Sequence, residues 1–307
     1  MNVKSQDEIG DLGRAFTQMS REIKGYTEHL EDMVKERTEE LEAALDKISV
    51  LNEKLTDENL RMSAELDVAK RLQLMVLPGQ EELCAIKDLD IACMMAPADE
   101  VGGDYFDCFK SNGSVRFGIG DVTGHGLSAG VIMIMAQTAI KTISLMGERD
   151  MKKMLSLVNK VLYSNIERIT EDRSMTLALL DYKDGVYTVA GQHEYLIVCR
   201  KDGRVEVKDT SDLGLFVGFE PDISEFVDET KITLEDGELL VLYTDGVTDA
   251  VNEAGEEFGL KRLCDLVRRN HSLPSNKIVE NIHGEVRSHI GKAKVHDDIS
   301  LLVIKQK

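Results

Sequence analysis

The sequence predicts an α+β fold, antiparallel sheets covered by helices, entered through a long coiled-coil helix. Three observations carry that reading. After Gly25 and up to Leu77 there is no glycine or proline, only charged and aliphatic residues in heptads. From about Cys84 onward, short apolar runs are punctuated by Asp-Gly pairs. Between those runs stand a few longer apolar-periodic stretches that suit covering helices.

The heptads come first in the chain. Val34, Leu41, Ile48, Leu55, Met62, Ala69 and Val76 form an unbroken apolar row at every seventh position. The companion row, Leu30, Arg37, Ala44, Leu51, Glu58, Glu65 and Leu72, is apolar only in part. Heptads rich in Glu and Lys read as a coiled coil over residues 25–77, roughly 75–80 Å of helix at 1.5 Å per residue. Such a rod cannot bury its seam alone, so a parallel homodimer is expected; the alternative is a helix folded back on the globular part. Glu58 and Glu65 interrupt the seam while Leu60 and Leu66 fall just outside it, the mark of a stutter or a local loosening. Ahead of the coil, within residues 1–24, Asp7 to Met19 reads D-E-I-G-D-L-G-R-A-F-T-Q-M. This resembles the start of the second helix of a HAMP module, the relay that follows the last membrane span in many bacterial receptors. The resemblance implies the cytoplasmic portion of an inner-membrane receptor, reaching the membrane only through a sensor segment ahead of it.

Composition excludes other classes. A net charge of −19 over 307 residues argues against nucleic acid as a partner, because binding it needs a basic face. The five cysteines, Cys84, Cys93, Cys108, Cys199 and Cys264, are scattered without CxxC spacing. They read as reduced core residues of a cytoplasmic protein, neither a zinc site nor a disulfide framework. No signal peptide is visible, nor an uncharged apolar run of the ~18 residues that span a bilayer.

A globular domain is expected over residues 78–307. Leu177–Tyr182 and Val186–Ala190 flank Lys183-Asp184-Gly185 and predict a hairpin. Asp202-Gly203 and Asp236-Gly237 make similar turns before the strands Arg204–Val207 and Glu238–Tyr243. Helices are expected over Gly126–Leu145, over Met151–Ile169, and as a pair within Leu260–Ile290. Asn112-Gly113-Ser114 is read as a turn. The stretch Gly118 to Gly130, G-I-G-D-V-T-G-H-G-L-S-A-G, runs from a strand end through a glycine-rich turn into a helix. Such turns present backbone N–H groups to anions, and a carboxylate there, Asp121, needs a cation beside it.

The acidic residues fall on strand ends in the same way. Asp104, in G-G-D-Y-F-D, opens a candidate strand and Asp121 closes the next; as a hairpin they share a rim. Asp245 follows Glu238–Thr244, and Asp297-Asp298 precedes Ile299–Ile304; as antiparallel neighbours they share a rim too. Carboxylates converging on one edge repel each other unless cations join them, and an all-oxygen set suits Mg²⁺ or Mn²⁺.

Four motifs in order, E-V-G-G-D-Y-F-D, G-D-V-T-G-H-G, Y-T-D-G-V-T-D-A and H-D-D-I-S-L-L-V, resemble those of the metal-dependent protein phosphatases, the PPM or type 2C family. The branch they are most similar to is the bacterial SpoIIE/RsbU type, and the resemblance takes in A-K-R-L-Q-L-M-V-L-P (Ala69–Pro78), similar to that branch's entry helix. It implies an α-β-β-α sandwich with a dinuclear Mn²⁺ or Mg²⁺ site at one edge of the sheets. Carried over by position, Asp121 bridges the two ions and the Val122 carbonyl binds one of them. Asp104, Asp245 and Asp297 complete the other ion's shell, with Asp298 the lesser choice of the pair. A water between two divalent ions ionises near neutral pH and is held for in-line attack on phosphorus. Where animal enzymes of the family carry an Arg to grip phosphate, Glu100 stands in that neighbourhood, which leaves the metals, together with the amides of the Gly124–Gly126 turn, to hold phosphate. His125 is a candidate proton donor to the leaving serine oxygen, or else a residue that orients the turn. Ala190-Gly191-Gln192-His193 departs from the branch's A-G-H followed by prolines, and His193 is given no role. The partner that the resemblance implies is a phosphorylated STAS-domain protein, an anti-anti-sigma factor.

Two other readings compete. G-G-D-Y-F also resembles the G-G-D-E-F signature of diguanylate cyclases, but the other three motifs have no place in a cyclase. A catalytically inactive dimeric scaffold would have lost acidic positions, and all of them are filled. A histidine kinase is disfavoured, since the coil has no His after His29 and the chain no Asn-bearing ATP box.

Overall fold

The computed structural model of the chain describes residues 8–98, 101–111, 113–169, 172–295 and 297–307, apart from the side chains of Glu8, Glu65 and Leu72. Asp7, Glu100, Asn112 and the heptad side chains of Glu65 and Leu72 therefore lie outside the described residues. Contacts divide the chain into two units, Met1–Ala64 and Glu65–Lys307.

In the first unit everything described belongs to helix α1 (Glu8–Met75), which is unbroken. Its Glu, Lys, Leu, Ala and Met content favours helix, and the surface pairs Lys24–Glu28 and Arg37–Glu40 add a few tenths of a kcal/mol each. The apolar heptad row stays on the surface: Val34, Leu41, Ile48 and Leu55 are all more than half exposed.

The second unit begins with the last turns of α1, followed by α2 (Gln80–Cys84), β1 (Leu89–Ala96), β2 (Tyr105–Ser111), β3 (Ser114–Val122), α3 (Leu127–Leu145) and α4 (Met151–Ile169). Then come β4 (Met175–Lys183), β5 (Val186–Ala190), β6 (Leu196–Cys199), β7 (Val205–Lys208), β8 (Glu229–Thr233) and β9 (Leu239–Tyr243). The short α5 (Asp245–Thr248), α6 (Leu260–Asn270), α7 (Ser275–Ile290) and β10 (Ile299–Gln306) complete it. One antiparallel sheet has the order β1-β10-β9-β6-β7 and the other β2-β3-β4-β5-β8. The expected β4–β5 hairpin turns on Asp184 and Gly185, both at positive φ, the conformation an Asp-Gly two-residue turn requires.

Period-two alternation explains the layers. On β2, Phe106 and Cys108 face the other sheet, where they meet Phe117, Leu180, Leu242 and Leu302 in the central core. Tyr105 and Phe109 point the opposite way, into a second core shared with Ile132, Met133 and Ala136 of α3 and Met154, Leu155 and Val158 of α4. The outer face of the first sheet, with Val241, Leu301 and Val303, packs on Leu263 and Val267 of α6 and Ile278 and Ile282 of α7. The result is an α-β-β-α sandwich. Truncating any of these buried aliphatics to Ala costs about 2–5 kcal/mol. Helix α3 is the one described helix long and apolar enough to cross a bilayer, but its Ala129–Ile132–Met133–Ala136–Ile140 face is buried in the second core.

The contacts place the last turns of α1, from Glu65, in the second unit. Packing explains this. Gln73 is buried and donates to the Gly102 carbonyl (3.2 Å), Lys70 reaches the Ala98 carbonyl (2.7 Å), and Val76 and Leu77 pack against the two cores of the β2 sheet. Strands β1, β6 and β8 are additions to what the sequence pattern had marked.

Candidate metal centre

Strand pairing assembles the acidic rim. Tyr105 pairs with Gly120, so Asp104 and Asp121 lie side by side at one end of the β2–β3 hairpin. Tyr243 pairs with Leu301, which brings Asp245, just past β9, next to Asp297 and Asp298, just before β10. Carboxylate oxygens of Asp121, Asp245 and Asp297 all lie within 4.8 Å of one another, so the two sheets contribute to one cluster. A cavity of about 150 Å³ beside it is lined by Asp245, Asp249, Lys294 and Asp297.

Glycines make this closeness possible. A Cβ on Gly103 would lie 2.6 Å from the Val122 carbonyl oxygen and 2.9 Å from an Asp121 carboxylate oxygen. One on Gly102 would overlap the Asp298 carboxylate, and one on Gly246 would sit 2.0 Å from the Asp298 carbonyl. The glycines of G-G-D and D-G are therefore spacers that let acidic side chains and carbonyls crowd together.

Burial and mutual repulsion act on Asp104, Asp121, Asp245 and Asp298. Burial first, then the charges of Asp245, Asp297 and Asp298, push the Asp121 carboxyl up to about 8. Asp104, only 1% exposed, is raised well above the usual carboxylate range by burial and then by Asp121 and Asp298. Asp245 rises to about 6 through burial, Asp297 and Asp249, and Asp298 to about 6 through burial and Asp297. The Thr244 hydroxyl donates to Asp104 Oδ2 (2.7 Å), but Asp104 Oδ1, Asp245 Oδ1 and Asp298 Oδ2 are buried without a hydrogen-bond partner. Orphaned carboxylate oxygens facing one another are costly. The donor set is all oxygen, which fits hard divalent cations.

The structure places the other residues singled out in the sequence as follows. Asp297 is in the cluster, whereas Asp298 turns inward and accepts from the Ala98 N–H (2.8 Å). Val122 is buried, its N–H bonded to the Gly103 carbonyl (3.3 Å). The Gly126 N–H donates to the Val101 carbonyl (2.7 Å). Gly124 is exposed at positive φ with the Arg173 guanidinium packed on it, and the exposed His125 offers its carbonyl to the same guanidinium (3.4 Å). Arg173 also holds the Thr123 carbonyl and the Ser128 hydroxyl, clamping the turn to the start of α3. Sequence reasoning missed Arg173 and Thr176 and gave His193 no role, none of which lies in an acidic motif, and it passed over Thr244, which stands beside Asp245 in Y-T-D-G.

A family model described as Stage II sporulation protein E (SpoIIE) matches residues 111–307. The chain belongs to this family. SpoIIE-family membership on a type 2C fold makes it a protein serine/threonine phosphatase of a metal-dependent class. The phosphoserine phosphatase RsbU of Bacillus subtilis (strain 168) is 26% identical over 257 residues, which cover 80% of this chain and 71% of RsbU. Protein IcfG of Synechocystis sp. is 27% identical over 330 residues, covering 97% of this chain but only 46% of IcfG; the chain spans about half of that relative. Among solved structures, the SiaA-PP2C domain of Pseudomonas aeruginosa superposes with a TM-score of 0.71 at 22% identity, over 81% of this chain and 98% of that domain.

Proposed function

We propose that this SpoIIE-family phosphatase removes phosphate from phosphoserine of a STAS-domain partner, with two divalent cations, Mn²⁺ or Mg²⁺, held at the acidic rim. The observation that carries the metal reading is the 4.8 Å convergence of Asp121, Asp245 and Asp297 beside buried oxygens that have no partner. Asp121, central in the cluster, is the residue to serve both ions, with the Val122 carbonyl, Asp104, Asp245 and Asp297 around it. Bound divalent ions supply two things there, a lowered pKa for water and neutralisation of phosphoryl charge. The protein's own part is positional. Thr244 fixes the Asp104 carboxylate, the glycines set the spacing, and Arg173 holds the turn that carries His125. His125, exposed on the turn that follows Asp121, is the candidate donor of a proton to the leaving serine oxygen.

The partner follows from the similarity to RsbU and from the branch, in which STAS-domain anti-anti-sigma proteins are the usual substrates. The exposed heptad row of α1 is the expected seam of a parallel homodimer, relaying input from a HAMP-type segment of a membrane receptor to a cytoplasmic output domain. The test is direct. A phosphoserine-bearing STAS protein incubated with the full chain should lose its phosphate only when Mn²⁺ or Mg²⁺ is present. Release without added metal after chelation, or no release from any phosphoserine protein offered, would overturn the reading.

A further inference from the structure

His193 lies in none of the acidic motifs, yet its ring spans the two sheets directly beneath the acidic cluster. Nε2 lies 3.0 Å from the Tyr243 carbonyl at the end of β9, and Nδ1 lies 2.8 Å from the Thr176 hydroxyl on β4. The chemistry fixes the direction of both bonds. A carbonyl can only accept, so Nε2 carries the proton and Nδ1 is left with a lone pair. The Thr176 hydroxyl, 2.8 Å from Nδ1 and 3.3 Å from the Asp121 carbonyl, gives its one proton to the nearer Nδ1, which leaves its oxygen to accept from the Asp121 N–H (3.2 Å). One ordered chain results: Asp121 N–H to Thr176 O–H to His193, and His193 N–H to the Tyr243 carbonyl. Burial holds the ring down to about 4, so it is neutral, as this order requires. The ring is held in turn by its backbone, because the His193 N–H donates to the buried Thr210 hydroxyl (2.9 Å) and that hydroxyl donates back to the His193 carbonyl.

The position of this chain matters. Asp121 belongs to the β2 sheet, and Asp245 follows Tyr243 by two residues on the other sheet. Between the sheets lies an apolar core, whose contacts are non-directional and set spacing only loosely. A cation site whose ligands come from both sheets needs that spacing fixed to a fraction of an ångström. We propose that His193 is a positioning residue that, with Thr176, sets the separation of the Asp121 and Asp245 strand ends and so the affinity of the cluster for divalent cations. This inference rests on the metal reading of the cluster.

The experiment measures Mn²⁺ binding to the full chain by calorimetry, without substrate, alongside folding by circular dichroism. Groups that support metal ligands change affinity by about 10–100-fold when removed. His193→Phe and Thr176→Val should each weaken Mn²⁺ binding at least ~10-fold, and the double variant should be no worse than the weaker-binding single variant, since both cut one chain. Thr176→Ser should bind as the wild type does. His193→Asn, whose amide oxygen can accept from Thr176 but whose shorter side chain leaves its N–H out of reach of the Tyr243 carbonyl, should fall between wild type and His193→Phe. Tyr182→Phe removes a similar cross-sheet bond at the far rim, from the Tyr182 hydroxyl to Gln306 (3.0 Å), and should lower stability without changing Mn²⁺ affinity. Unchanged Mn²⁺ affinity in His193→Phe, or additive losses in the double variant, overturns the inference. If His193→Phe does not fold, the Thr176→Val and Thr176→Ser pair decides by the same criteria. Asp121→Asn separates the two levels: if it binds Mn²⁺ as the wild type does, the metal reading itself fails whatever His193 does.

Discussion

Titrating the metal-free protein upward in pH should destabilise the catalytic domain, and by an amount the carboxylate environment sets. The Asp121 carboxyl is raised to about 8 in the fold, against about 3.9 in an unfolded chain. A group whose folded pKa is raised contributes stability that is complete below its unfolded pKa and is lost as pH rises through its folded pKa. Between about 6.5 and 8 the native site therefore holds close to one proton that the unfolded chain has released, and stability falls by at most about 1.4 kcal/mol per pH unit. For a domain of this size that corresponds to roughly 3–6 °C in Tm per pH unit. Asp245 and Asp298, raised to about 6, add to the slope below that window. His193 acts in the opposite direction: its pKa is depressed to about 4, so it costs stability below its ordinary value of about 6.5, and the window must start above that. The assay is thermal unfolding of the full chain in chelator at several pH values, repeated with Asp121→Asn and with saturating Mn²⁺. Wild type should lose Tm as pH rises, Asp121→Asn should be flatter and more stable at pH 8, and Mn²⁺ should abolish the loss. A Tm that is constant or rises across the window in chelator, or an equal slope in Asp121→Asn, would refute the claim that repulsion at this rim strains the metal-free fold.

Other consequences can be read off the same geometry. Asp121→Asn should abolish phosphatase activity towards a phosphoserine protein at any Mn²⁺ concentration while circular dichroism stays native; full activity in that variant would remove Asp121 from the site. Gly102→Ala places a Cβ on the Asp298 carboxylate and must break its bond to the Ala98 N–H, so urea unfolding should show about 1–3 kcal/mol of destabilisation. A change within about 0.5 kcal/mol would mean that the segment shifts freely. A chain starting at Glu65 keeps the Lys70, Gln73, Val76 and Leu77 contacts and should scatter light as a monomer where the full chain is a dimer. Equal masses for the two at micromolar concentration would make the coil something other than a dimerisation seam.

Much of the sandwich was legible because its signals are local. Asp184-Gly185 announces a hairpin through positive φ, the apolar run of β10 announces a buried strand, and strand-end aspartates announce a shared rim. Strands β6 and β8 were not legible for a physical reason. Strands of four or five residues show too little periodicity; β5, β7 and β9 are marked by the Asp-Gly turns ahead of them, whereas β6 and β8 have no such turn, and β6 becomes a strand because it is sandwiched between β9 and β7. β1 carries Ala, Cys and Met in place of the β-branched residues that mark strands. The clustered aspartates sit in compact motifs and could be named from sequence. Their supports could not, because Thr176 meets Asp121, and His193 meets Tyr243, across some fifty residues of chain. Arg173 is likewise a neighbour of Gly124 only once β3 and β4 have paired. The Ala69–Pro78 stretch could be matched to an entry helix, but its heptad pattern runs on without a break, and the packing of Gln73 depends on the Gly102 carbonyl, far along the chain.

The central claim is that the rim formed by Asp121, Asp245 and Asp297 is a divalent metal centre. Anomalous diffraction from crystals of the protein grown in Mn²⁺ tests it most directly. Two anomalous peaks should appear against the Asp121 carboxylate, one shared with the Val122 carbonyl and one with Asp245 and Asp297, and both should vanish in Asp121→Asn. Strong Mn²⁺ peaks elsewhere on the molecule with none at this rim would contradict the account.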